Sequence, residues 1–167
     1  MYKVYFLSGL KLKFKKNKSS RSSDLKYKKE CIRYFLIHRE IKGLYVENTN
    51  TRRGMGLYSK FKILAGTPIC QYKGKIYPFY PNSNYSVKIS DHKYIDAENE
   101  NCLAKFANHS LDEDPNCKLT NWCKILCLIA IRDIYPNTEI IYHYGFSRDE
   151  EKLLRRGGWT SSEQKRN

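Results

Sequence analysis

Short apolar runs, broken at close intervals by glycine, proline, asparagine and aspartate, set the strongest limit on how this chain can fold. From Gly43 onward they are Leu44-Tyr45-Val46, Gly56-Leu57-Tyr58, Ile69-Cys70-Gln71-Tyr72, Tyr85-Ser86-Val87-Lys88-Ile89, Tyr94-Ile95-Asp96, Leu126 to Ile131 and Glu139 to Tyr142. Each is too short for a helix that buries a face, and all draw on β-branched and aromatic residues that suit a pleated surface. Ala65-Gly66-Thr67-Pro68 and Tyr135-Pro136-Asn137-Thr138 supply turn chemistry between them. With no helical segments to serve as crossovers, the runs predict a mainly β fold with some α, made of several small antiparallel sheets. Helix is confined to the flanks. Tyr27 to Ile41 carries Cys31, Ile32, Tyr34, Phe35 and Ile37 at spacings that fit a helix, or a helix followed by a strand, after a Ser-rich stretch, Ser19 to Asp24, expected to be mobile or a turn. At the other end Ser147 and Glu150 form a capping-box pair for a helix that runs to Arg156 and stops at Gly157-Gly158.

Charge divides the chain differently. The net charge is +14, and residues 1–43 hold 13 Lys/Arg against 3 Asp/Glu. The run Lys11-Leu12-Lys13-Phe14-Lys15-Lys16-Asn17-Lys18 reads either as a solvated charged arm or as a segment attracted to DNA, RNA or an acidic protein face. No apolar run approaches the roughly 20 residues of a membrane span, so the chain is expected to be soluble and intracellular, with no membrane partner. Six cysteines without a secretion signal are expected as free thiols. Cys117, Cys123 and Cys127 lack a common zinc spacing, and Cys127 falls within an apolar run where it reads as a small buried hydrophobe, so no metal site is expected.

Four local patterns carry the functional reading, and each alone has a bland alternative. Arg53-Gly54-Met55-Gly56 could bring backbone close to a ligand or simply make a tight turn; it lacks the third glycine and following helix of a dinucleotide fingerprint. Tyr72-Lys73-Gly74 ends a strand on an ordinary turn glycine. Asn108-His109-Ser110 could read an adenine edge through its donors and acceptors, or cap a helix. In Glu139-Ile140-Ile141-Tyr142-His143-Tyr144-Gly145, alternation puts Tyr142 and Tyr144 on one face, where buried tyrosines are ordinarily core residues.

In this order and spacing, from about Gly43 to Gly145, the four patterns resemble the SET domain family of protein-lysine methyltransferases. The resemblance implies a SET-type fold with a C-terminal pseudoknot, in which the segment ending at Tyr144 passes through a loop near Asn108. It divides the chain into a basic extension (1–43), the SET domain (44–146) and a flanking helix and tail (147–167). It implies S-adenosylmethionine (SAM) as cofactor, held by Gly54, Met55, Gly56, Asn108 and His109. Tyr144 would stand where the methyl group and target amine meet, and Tyr142, two residues earlier, would limit product size and favour mono- or dimethylation. Tyr85 matches a tyrosine of the lysine channel. Many members carry a cysteine after the N-H-S block and a cysteine-rich, zinc-binding tail. Here Leu111 takes that place and no cysteine follows Cys127. Phe146 and Trp159 are then the candidates to close the channel. Asp112-Glu113 read as a two-residue insertion, and His143 replaces an acidic residue often found between the tyrosines, which alters local polarity and pH response. The implied substrate is a protein lysine, a histone tail foremost, with DNA contact through the basic arm. The implied location is the nucleus or chromatin, a host nucleus if the source is a virus or intracellular parasite. The alternative is a non-catalytic SET-like module that binds SAM or chromatin.

Overall fold

The computed structural model describes residues 3–7, 10–14, 22–51, 53–109, 111 and 114–156, with 3–7, 10–14 and 154–155 described as backbone only. Trp159, Ser110, Asp112-Glu113, Lys15 to Lys18 and Gly157-Gly158 lie outside the described residues. In chain order the elements are β1 (Lys3–Leu7), β2 (Leu10–Phe14), α1 (Ser22–His38), β3 (Leu44–Asn48), β4 (Met55–Ser59), β5 (Pro68–Gln71), β6 (Lys75–Tyr77), β7 (Ser86–Ser90), β8 (Lys93–Asp96), β9 (Cys117–Trp122), β10 (Ile125–Ala130) and α2 (Arg148–Arg156), with a 3-10 turn at Leu103–Phe106. All named strand pairs are antiparallel: β1-β2, β3-β4, β5-β10-β9 and β6-β8-β7. The expected class of several small antiparallel sheets is the one observed.

Three details differ from the sequence expectation. The start of the basic extension is a pair of antiparallel strands, with Lys3 opposite Phe14 and Leu7 opposite Leu10; the alternating Leu10-Lys11-Leu12-Lys13-Phe14 is a strand period that its charge obscures. Helix α1 begins at Ser22, inside the stretch expected to be irregular, with Asp24 in its first turn where a negative charge favours the helix N-terminus. It also ends at His38. Arg39, at φ 65°, turns the chain so that Arg39 to Ile41 pairs with β5, Gln71 N–H donating to Arg39 O and Ile41 N–H to Ile69 O. Finally, β9 and β10 are joined by only Cys123 and Lys124, both at positive φ (51° and 66°), a two-residue hairpin turn made without glycine.

The core is one cluster in which Phe35 of α1, Leu57 of β4, Ile69 of β5, Leu128 of β10, Ile134 and Ile140 are almost wholly buried. Each such side chain contributes about 1.5–3 kcal/mol of burial free energy. Phe35 meets Trp122 edge-on at 5.6 Å, which seats α1 on β9. Free thiols contribute as small apolar groups, Cys70, Cys102, Cys117 and Cys127 all being buried.

The connection that positions the site is Glu139 to Tyr142. Ile140 N–H donates to Leu57 O of β4 at 2.7 Å. Further along, Tyr142 N–H donates to Asn108 O at 3.0 Å, while the amides of Asn116 and Cys117 donate to Ile141 O at 3.0 and 3.1 Å. The bridges of Asn108 with Ile141 and of Cys117 with Tyr142 are parallel. The segment is thus held from both ends of the 108–117 connection, the contacts that the expected pseudoknot requires.

Candidate active site

Gly54 sits at φ +71° in the turn between β3 and β4, where Thr49 N–H and Thr49 Oγ1 both donate to Gly54 O at 2.8 Å. Its glycine is required by conformation. At Gly56 the reason is space: a Cβ would come within 2.8 Å of both Glu139 Oε1 and Thr49 Cγ2. Glu139 is the knot of this corner. Its Oε2 pairs with Arg53 Nη2 at 3.0 Å, the two side chains being 9% and 10% exposed, and its Oε1 accepts from Asn108 Nδ2 at 2.6 Å. The same Asn108 amide donates to Met55 O at 3.1 Å. Asn108 therefore caps no helix; it ties the glycine turn to the threaded segment. Asn116, buried, repeats the device one step along, donating from Nδ2 to Glu139 O at 2.7 Å and accepting Ile141 N–H on Oδ1 at 3.0 Å.

His109 follows into an aromatic nest. Its ring stands 5.0 Å from His143, 5.2 Å from Phe146 and 5.4 Å from Tyr144. Nδ1 faces the Tyr144 N–H at 3.4 Å. Burial, reinforced by the His143 ring, holds His109 below the usual histidine range. It is thus a neutral imidazole whose Nε2 is buried with no hydrogen-bond partner among the described residues. A buried polar atom of this kind is paired in most proteins, and here it marks where a bound group with an acceptor fits.

The Tyr142 and Tyr144 rings meet at a 46° tilt, 4.8 Å between centroids. The Tyr144 hydroxyl donates to Ala107 O at 3.1 Å, so its proton is fixed on a carbonyl; its oxygen takes a backbone hydrogen bond from His109 and keeps capacity for one further donor. Burial pushes both hydroxyls well above the usual phenol range and keeps them protonated. They open, with Phe146, onto a cavity of about 350 Å³ whose other walls include Tyr72, Tyr80, Ser86, Val87, Lys88 and Lys105. Tyr72, from the strand end read only as a turn, is a wall residue that sequence reasoning missed; its hydroxyl donates to Tyr85 O at 2.8 Å. Tyr85 itself stands outside the cavity lining, its ring edge-on to Phe106 at 6.4 Å. Gly74 beside it admits no Cβ, because that atom would collide with Asp96 O.

His143 bridges outward. Its Nδ1 accepts Gly145 N–H at 3.0 Å and its Nε2 meets Glu151 Oε1 of α2 at 2.7 Å. The expected capping box is formed, Ser147 N–H donating to Glu150 Oε2 at 2.7 Å and Glu150 N–H to Ser147 Oγ at 3.3 Å. A second cavity, about 480 Å³, runs along α1 between Tyr34, Ile37 and Phe61 and contains none of these residues.

A family model described as the SET domain matches residues 54–145, more than half of the chain. A histone-lysine N-methyltransferase, H3 lysine-4 specific, of Cryptococcus neoformans is 28% identical over 117 residues, covering 61% of this chain and 8% of that protein. A putative histone-lysine N-methyltransferase 1 of Plasmodium falciparum is 29% identical over 123 residues, covering 65% and 2%. The chain spans less than a tenth of the length of these two relatives. The solved structure of KRYPTONITE in complex with mCHH DNA, H3(1-15) peptide and SAH superposes with a TM-score of 0.54 and 29% identity over 64% of this chain and 24% of that one. The matched span opens on the glycine turn that Asn108 holds and closes on Tyr144-Gly145. This chain belongs to the SET domain family.

Proposed function

We propose that the chain transfers a methyl group from SAM to the ε-amine of a protein lysine, with a histone as the substrate class and mono- or dimethyllysine as the main product. The observation that carries the reading is Tyr144, whose hydroxyl gives its proton to Ala107 O on the wall of a cavity, with its ring 5.4 Å from that of His109, whose buried Nε2 has no hydrogen-bond partner among the described residues. Residues 44–146 form the catalytic unit in this reading, with 1–43 as a basic extension and 147–167 as a flanking segment.

The donor set suits SAM. Gly54, Met55 and Gly56 would hold it through backbone, with Asn108 fixing that turn and His109 Nε2–H available to an acceptor. When bound, SAM supplies an already activated methyl group on a sulfonium. The chain then has to align and deprotonate. A lysine amine, with an unperturbed pKa of about 10.4, loses its proton more readily when desolvated among Tyr72, Tyr142, Tyr144 and Phe146. The Tyr144 oxygen can then orient the neutral amine through one of its N–H groups. Tyr142 reduces the room beside that amine.

The names of the relatives and the H3 peptide in the KRYPTONITE complex support a histone substrate and a chromatin setting. The surplus of Lys and Arg in residues 1–43 supports DNA contact that weakens as salt rises. Incubation with labelled SAM and either nucleosomes or free histones, followed by mass spectrometry, tests the reading. Label on a histone lysine is the expected result. SAM binding with no transfer to any protein would leave a binding module instead.

A further inference from the structure

The cavity that Tyr142 and Tyr144 open onto is chemically one-sided. Among the described residues, its charged wall residues are two cations, Lys88 and Lys105, with no carboxylate beside them in the lining. Lys105 is locked in place: its Nζ donates to the carbonyls of Ala97, Glu98 and Glu100 at 3.2, 3.0 and 2.9 Å. Lys88 pairs with Asp91 at 2.9 Å, but that carboxylate is almost fully exposed and off the wall, so the pair is solvent-screened and the cation still faces an incoming chain. The nearest buried acid, Asp96, already accepts from Ser83 Oγ at 2.7 Å and Glu98 N–H at 3.0 Å.

At the rim the surface becomes apolar. Tyr80 lines the cavity and is 57% exposed, and its chain neighbour Phe79 is 64% exposed. Two adjacent large aromatic side chains left in water, one of them on the wall of a candidate reactive cavity, mark a contact surface.

Taken together, the geometry points to a specific substrate chemistry: the cavity takes its lysine from a stretch of polypeptide that carries acidic and aromatic or aliphatic neighbours, and it disfavours a lysine set among other basic residues. This rests on the methyl-transfer reading above. An acidic neighbour pairs with Lys88, an apolar one lies on Phe79 and Tyr80, and an arginine meets Lys88 with only the solvent-exposed Asp91, and no carboxylate among the described wall residues, to offset it. Within histones, lysines in neutral or acidic surroundings are then the better targets.

Labelled peptides of equal length, each with one central lysine flanked by Glu and Phe, by Ala, or by Arg, test this in two readouts with the full chain. One is kcat/KM with SAM; the other is binding by fluorescence anisotropy in the presence of SAH, which needs no catalysis. The Glu/Phe peptide should exceed the Arg peptide by about tenfold in both, the scale of exposed charge contacts at close range. Lys88→Glu should abolish or invert that ratio, with retained SAH binding confirming its fold. Selective binding without transfer to any peptide would keep this inference and remove the methyltransferase reading. Transfer with the Arg peptide preferred would do the opposite. No binding to any peptide, or a ratio that Lys88→Glu leaves unchanged, would overturn the inference; if Lys88→Glu does not fold, the wild-type series alone decides.

Discussion

His109 shows how a single residue ties stability to the site. Its folded pKa lies below the unfolded value of about 6.5 because burial disfavours the cation. The unfolded chain therefore takes up a proton first as pH falls. The stability that neutral His109 contributes is complete above about pH 6.5 and is lost as pH drops towards its folded pKa. Urea unfolding across that interval should show stability rising with pH, and His109→Asn should flatten the rise; an unchanged slope would mean that another group titrates. Tyr142 makes a second residue-scale prediction. Removing its hydroxyl with Tyr142→Phe should shift products towards di- and trimethyllysine, read by mass spectrometry, while an unchanged distribution would remove its size-limiting role. Both residues stand in patterns legible in the sequence. Tyr72 also stands in one, but its place on the cavity wall was not legible, because a tyrosine before a turn glycine looks the same whether its ring lines a cavity or packs in the core. Tyr85, matched to the channel, lies directly beside it, the Tyr72 hydroxyl donating to Tyr85 O.

Between elements, Glu139 is the most consequential contact, joining the glycine turn, Asn108 and the threaded segment. Glu139→Gln removes the carboxylate charge that pairs with the nearly buried Arg53, which should cost about 3 kcal/mol in urea unfolding. Lys62→Met, which removes the 40%-exposed pair with Asp133, should cost under about 1 kcal/mol. Comparable losses would show that burial does not separate the two pairs. The β9-β10 turn offers a gain. Lys124 is exposed at φ 66°, so Lys124→Gly relieves a left-handed strain and should raise stability by about 0.5–1 kcal/mol in the same assay. That turn also explains why β9 escaped the sequence reading, since Cys123-Lys124 carries none of the residues that announce a hairpin. The Ser147-Glu150 box was legible because capping is local chemistry within one turn. Arg53 and Glu139 were not, because only the complete fold brings them together.

At the scale of the molecule, the order of the motifs identified the family while composition and strand periodicity alone reached no further than small antiparallel sheets. The reason is physical. Periodicity reports which face of a strand is buried, whereas the seating of Glu139 to Tyr142 between Asn108 and Asn116 depends on long-range bonds through those two residues. That seating delivers Tyr144 to the cavity wall, with its hydroxyl on Ala107 O. If the wall is a methyl-transfer site, the most direct measurement is the rate of transfer from labelled SAM to nucleosomes or free histones by Tyr144→Phe, beside SAM affinity measured by calorimetry. Removal of one positioned hydroxyl should lower kcat by about a hundredfold or more with SAM binding retained. A variant that turns over at the wild-type rate would contradict the role assigned to Tyr144.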